Sequence, residues 1–168
     1  KFSAKHPRVR FKLRLGFASA MNEELLKGAM DFAFIDDFRM DKRVTTQKVY
    51  DETLDLCISD SLLQTLQKTA GKGGSKKQDL DWFEKLDFVE YAEGEPLLRM
   101  WFSHHLGPKE GRAIRLNVKA YVMDVQSLAR FINCDAGAGI LPGYLASKLA
   151  DQGARIHRFK GKGKPLQN

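Results

Sequence analysis

Cysteine is nearly absent: Cys57 and Cys134 are the only two in 168 residues, and they form no C-x-x-C pair. That excludes a disulfide framework and a thiolate zinc site, and it reads as two reduced, buried thiols in a cytoplasmic protein. Long apolar runs are missing too. No stretch approaches the roughly 18 consecutive apolar residues of a membrane span, and the opening KFSAKHPRVRFKLR lacks the apolar heart of a signal peptide. Nothing in these residues argues for export or for a membrane partner. The two adjacent histidines, His104 and His105, point to different faces of a helix, whereas metal pairs on helices sit three or four apart, so no metal site is expected. No G-x-S-x-G elbow occurs, and Cys134 and His105, the nominees for a reactive side chain, have no partner by spacing. The chain is therefore expected to be no enzyme and to hold no cofactor.

Acids are also missing from residues 1 to 14, which carry six Lys or Arg, and Arg155, Arg158, Lys160, Lys162 and Lys164 make the other end basic. The net charge of +7 fits either a solvated face or a nucleic-acid or membrane-surface partner, and charge alone does not make a DNA-binding domain. At 43% hydrophobic, the chain can bury a real core as one domain or as two small lobes of an interrupted one.

The patterning alternates strands and helices. RVRFKLRL (8 to 15) reads as a strand with one basic face, ASAMNEELLKGAM as a helix ending near Gly28, and DFAFI (31 to 35) as a short buried strand. VYDETLDLCIS (49 to 59) is a longer strand, followed by a helix that Ser59, Asp60 or Ser61 can cap. TAGKGGSKKQ (69 to 78) is a surface loop, DLDWFEKL a short helix and DFVEY (87 to 91) a strand. Pro96 opens a helix through LLRMWFSHH, RLNVKAYVM (115 to 123) is a strand, and Asp124 can cap VQSLARFINC. A short run AGIL, a helix opened by Pro142 and a strand ARIHRF (154 to 159) complete an α/β pattern with mainly parallel sheet. Trp82-Phe83 and Trp101-Phe102 fall at helical positions and suit core packing better than base stacking.

Two glycine-rich stretches invite a nucleotide reading and fail it. In NCDAGAGILPGYLAS (133 to 147), Gly137 and Gly139 are followed by Gly143, one position late for G-x-G-x-x-G, and a helix precedes the pair where a strand is required. AGKGGSKK lacks the first glycine of a P-loop at its required distance and no strand leads into it.

Four stretches in order carry a resemblance: Phe2 to Gly16 with the pattern F-x4-P-x-V-x-F-x-L-x-L-G, LLKGAMDFAFIDD (25 to 37), VYDETLDLCISDS (49 to 61) and VQSLARFINCDAGAGILPGYLAS (125 to 147). Together they resemble the effector-binding domain of LysR-type transcriptional regulators. The family's G-x-x-D-hydrophobic-A-hydrophobic stretch is matched by Gly28, Asp31, Phe32, Ala33 and Phe34. Its V-x-A-G-x-G-I-x-x-L-P stretch is matched by Ile132 to Pro142 with one residue fewer. The resemblance implies a periplasmic-binding-protein-like fold of type II, with two Rossmann-like α/β lobes joined by two crossover strands and an effector cleft at the lobe interface. Residues 1–56 with 157–168 would form lobe I, and 57–156 lobe II. It further implies that the first strand lies before Lys1 and the last strand and helix after Asn168. DNA would be contacted through a helix-turn-helix that this chain does not contain, and the protein would be a homodimer or homotetramer with the strand 8 to 15 at the subunit interface. A solute-binding protein serving a transporter is the alternative on the same fold.

Carried over position by position, the resemblance implies effector contacts at Ile35, Asp36 and Asp37, at Ala92, Glu93 and Gly94, at Met123 and Asp124, and at Pro142, Gly143 and Tyr144. Many effectors in that family are carboxylates held by helix amino termini, hydroxyls or arginines. Here Asp36, Asp37, Glu93, Glu95 and Asp124 crowd the same openings. Either they cap helices, or they turn away anions and favour a cationic, amphoteric or polar neutral effector.

Overall fold

Phe2–Lys5 close a single helical turn (α1) in which the Phe2 ring lies 4.4 Å from that of His6 and 5.6 Å from that of Phe11. Ala18–Leu26 form α2, where Glu24 accepts from Arg14 at 2.6 Å. The structure is a computed structural model that describes residues 1–16, 18–35, 41–70, 81–94, 96–159, 161 and 163–167. These first helices belong to one unit, Lys1–Val49, and the remainder to a second, Tyr50–Asn168. Neither RVRFKLRL nor DFAFI is a strand in the first unit, contrary to the alternation. Val9, Phe11, Leu13, Leu15, Phe32 and Phe34 are all exposed, and among the described residues no segment pairs with these stretches. Period-two patterning specifies which face is apolar, but the ladder itself comes from a partner's N–H and C=O groups.

The second unit is built around Thr53–Ser59, TLDLCIS, the strand β1. Leu56, Cys57, Ile58 and Ser59 are buried in succession, as expected of a strand covered on both faces. Ser59 caps the following helix, α3 (Asp60–Ala70), by accepting from the Leu62 N–H at 3.2 Å. After a helical turn at 81–83 come β2 (Asp87–Glu90), α4 (Pro96–Leu106) and α5 (Pro108–Ala113). The helix α5, PKEGRA, escapes sequence reading because it is polar and interrupted by Gly111. That glycine lets it lie on α4, for a Cβ there would strike the backbone of Ser103. Then follow β3 (Asn117–Tyr121), α6 (Val125–Asn133), β4 (Gly139–Pro142), α7 (Gly143–Asp151), β5 (Ile156–Phe159) and β6 (Leu166–Gln167).

A four-stranded sheet has the order β4, β1, β5, with β6 beside β5 along the far side of β1, and a two-stranded sheet of β2 and β3 adjoins β4 through one isolated bridge. Strands β2 and β3 are parallel, and an isolated parallel bridge ties Phe88 of β2 to Ala138, the residue just before β4. Every pairing that β1 makes is antiparallel, so the expectation of mainly parallel pairing holds only on the β2–β3–β4 side. Direction escapes the pattern because a strand buried on both faces reads the same either way. Leu56, Ile58, Phe88 and Ile140 face a cluster with Trp82, Phe83, Leu98, Trp101 and Phe102. Cys57, Val89 and Leu141 face the opposite cluster of Leu128, Ala129, Ile132, Leu145 and Ala146. The Trp-Phe pairs are thus core, with Phe83 and Phe102 ring centroids 5.0 Å apart.

Candidate functional site

Because β1 runs against the others, its amino end meets the carboxyl ends of β2, β3 and β4 on one edge of the sheet; Leu54 pairs with Pro142, and Glu90 with Tyr121. Strand ends of α/β sheets are where ligands collect. Three helices start on this edge: α4 after β2, α6 after β3 and α7 after β4. Each start presents backbone N–H groups without intrahelical acceptors and the positive end of a helix dipole.

The three starts are filled differently. Asp124 caps α6, its Oδ1 accepting from the Ser127 N–H at 2.8 Å, and hydrogen bonds from the Ser127 side chain first and its backbone N–H second hold the Asp124 carboxyl below the usual value of 3.8. Glu90, only 1% exposed, serves α4: Oε2 accepts from the Leu98 N–H at 2.8 Å and Oε1 from the Tyr91 N–H at 2.6 Å. At α7 the cap position is Pro142, whose side chain offers no acceptor, and no side chain caps the helix. Pro142 thus stands one position before the first helical residue, where the sequence suggested it would be that residue. Gly143 is seated against β1, and a Cβ there would strike the Thr53 hydroxyl and come within 3.2 Å of Asp55 Oδ2.

Beneath that start runs a polar relay. Arg158 Nη2 donates to Asp55 Oδ2 at 2.5 Å and Nη1 to Ser147 Oγ at 2.9 Å, and Ser147 donates in turn to the Gly143 carbonyl at 2.9 Å. The relay ties α7 to β1 and β5. Nearby, burial first and the Asp55 charge second push the Cys57 thiol up to about 12, so it is inert. Among the described residues no group of three or more His, Cys, Asp or Glu side chains can hold a metal, and no helix is long and apolar enough to cross a membrane.

The family model described as the LysR substrate binding domain matches residues 1–166. This chain belongs to the LysR substrate-binding domain family. Its fold is therefore the type II periplasmic-binding-protein-like fold. Among solved structures the LysR domain resembles the effector-binding domain of QuiR in complex with shikimate, with a TM-score of 0.65 at 13% identity over 99% of this chain and 73% of that one. It also resembles full-length LysG from Corynebacterium glutamicum with bound effector Arg, with a TM-score of 0.71 at 15% identity over 98% of this chain and 51% of that one. The C-terminal domains of a LysR family protein from Agrobacterium tumefaciens give 0.69 at 12% identity over 99% and 74%. The LysR domain thus spans about half the length of the full-length regulator. At these identities the likeness is one of fold. No curated protein sequence matches the chain. Domains of this family generally belong to transcription regulators and not to enzymes, and the transporter alternative draws no support from these relatives.

Of the residues singled out in the sequence, Ala92, Glu93, Gly94, Met123, Asp124, Pro142, Gly143 and Tyr144 all lie on this one edge. Met123 and Tyr144 are exposed, at 72% and 56%. Ile35 lies in the first unit, and Asp36, Asp37 and Glu95 fall outside the described residues. Cys134 is exposed, not buried, because it follows the last turn of α6 on the surface. Sequence reasoning missed Glu90, Thr53 and the Asp55–Arg158–Ser147 relay. Glu90 had a signal, being an acid inside the apolar run DFVEY; Arg158 was hidden among the basic tail residues.

Asp124 gives a pH prediction. Its folded value lies below its unfolded one, so its contribution is complete above the unfolded value of 3.8 and is lost as pH falls through the lowered one. Asp124→Ala is expected to melt about 2–4 °C below the parent at pH 7. The gap should close as pH is taken below 3.8. A gap independent of pH would mean that the carboxylate charge plays no part in the cap.

Proposed function

We propose that the LysR domain senses a small-molecule effector for a cytoplasmic transcription regulator that is a homodimer or homotetramer and reads DNA through a domain outside this chain. Full-length CbnR complexed with its target DNA, LysG with bound Arg and the QuiR domain with shikimate support that reading by likeness of fold. The effector would sit on the strand-end edge of the second unit. The observation that carries this is the uncapped α7 start beside the exposed Tyr144, on an edge whose two other helix starts are filled by the chain's own carboxylates.

One open positive pole among acids selects one kind of ligand. An acceptor group on the effector would meet the N–H groups at Gly143 and Tyr144, while the rest of the molecule faces the exposed Glu93 and is cationic or hydroxyl-rich. The effector is thus amphoteric or hydroxyl-rich, not a simple anion. A thermal-shift panel of L-arginine, shikimate, acetate and benzoate tests this: stabilisation by one of the first two supports it, and stabilisation by the simple carboxylates alone sinks it. Tyr144→Ala should weaken the stabilising compound about fivefold to tenfold. Because the ring is exposed, the unliganded melting temperature should stay within about 1 °C.

A further inference from the structure

Glu90 is the last residue of β2, in a strand that is otherwise buried and apolar apart from its first residue. A buried carboxylate is costly unless donors surround it, and a side chain present for packing alone would be apolar. The Glu90 carboxylate accepts from Tyr91, which opens the turn carrying Ala92, Glu93 and Gly94, and from Leu98 in the first turn of α4. Its backbone carbonyl accepts from the Val122 N–H at 2.9 Å, immediately before Met123 and Asp124. One residue thus fastens two of the three segments on the candidate edge.

We propose that Glu90 is a positioning residue of the effector edge. Its carboxylate fills the α4 start from within the chain, fixes the 91–94 turn and keeps an effector's anionic group away from that start. The proposal rests on reading this edge as the effector site. With the α4 and α6 starts occupied, the α7 start is the pole left for an effector's acceptor, so Glu90 sets where the ligand's charge goes as well as how the turn is held.

Two arms of the test need no effector. In the full 168-residue chain, Glu90→Ala leaves a buried N–H donor at Leu98, a part-buried one at Tyr91 and a carboxyl-sized gap. Sodium formate should raise its melting temperature saturably by about 3 °C more than equimolar sodium chloride does, and should not do so for the parent. Glu90→Gln keeps the volume but exchanges an acceptor oxygen for a donor. Amide exchange at Tyr91 and Leu98 should quicken about tenfold while Leu56 and Ile58 in β1 hold. Formate acting alike on variant and parent, or unchanged exchange in Glu90→Gln, overturns the positioning role. In a third arm, inorganic sulfate should bind Glu90→Gln about tenfold more tightly than the parent; equal affinity overturns the exclusion of anions. A panel in which no compound stabilises the parent counts against the effector reading alone, because the formate and exchange arms remain readable.

Discussion

Phe102→Ala is expected to destabilise the LysR domain by about 3–5 kcal/mol, close to the whole stability of a marginal domain. The ring is fully buried and meets three others edge to face: Phe83 at 5.0 Å, Trp101 at 5.2 Å and Phe88 at 5.9 Å. Those neighbours come from the turn at 81–83, from α4 itself and from β2, so no single shift closes the hole left by truncation. The loss combines the transfer free energy of the ring, the unfilled cavity and aromatic pair geometry worth about 0.5–1.5 kcal/mol. Phe131, on the outer side of α6 and partly exposed, is the internal control, and its alanine variant should lose no more than about 1 kcal/mol. Urea denaturation of both variants checks this, and equal midpoints would mean that the aromatic cluster is not the core of the unit.

Much of the second unit was legible because its signals are local. The run TLDLCIS is apolar at successive positions, Pro96 and Asp124 mark helix starts by backbone chemistry, and the GAG pair marks a turn. What these glycines are for was legible only in part: a Cβ at Gly137 would come within 2.8 Å of the Asp87 carbonyl, so the residue is there to let β4 approach β2. The direction of β1 was not legible, nor was the failure of 8 to 15 and 31 to 35 to form ladders, since both depend on which segment lies alongside. The candidate edge divides the same way. Its strand–helix junctions follow from element order and the family resemblance, whereas Arg158 reaches Asp55 across 103 positions of sequence and no spacing rule announces that. Glu90 marks the boundary between the two cases: its oddity shows in the sequence, and its donors show only in the fold.

Gly143→Ala is expected to reduce affinity for whichever panel compound stabilises the parent by about 100-fold, with a stability loss of about 1–3 kcal/mol. The added methyl strikes the Thr53 hydroxyl, on a β-branched side chain with few rotamers to retreat to, and beyond it stands Asp55 Oδ2 at 3.2 Å from the new carbon. Asp55 is held by Arg158, which also holds Ser147 on the first turns of α7, so the strand side of the collision is braced and the helix start gives way. A start displaced by even about 1 Å moves the N–H groups of Gly143 and Tyr144 off a ligand they must meet in line, and such misplacement alone can cost about 100-fold. Thr53→Ala removes the struck hydroxyl and leaves the remaining contacts at 3.2 Å and 3.4 Å. Combined with Gly143→Ala, it should therefore restore most of the lost affinity, a coupling that additive effects cannot produce. Calorimetric titration of the two single variants and the double variant decides it: if the double variant binds no better than Gly143→Ala, the α7 start is not displaced through Thr53, and if Gly143→Ala binds like the parent, the effector does not use that start.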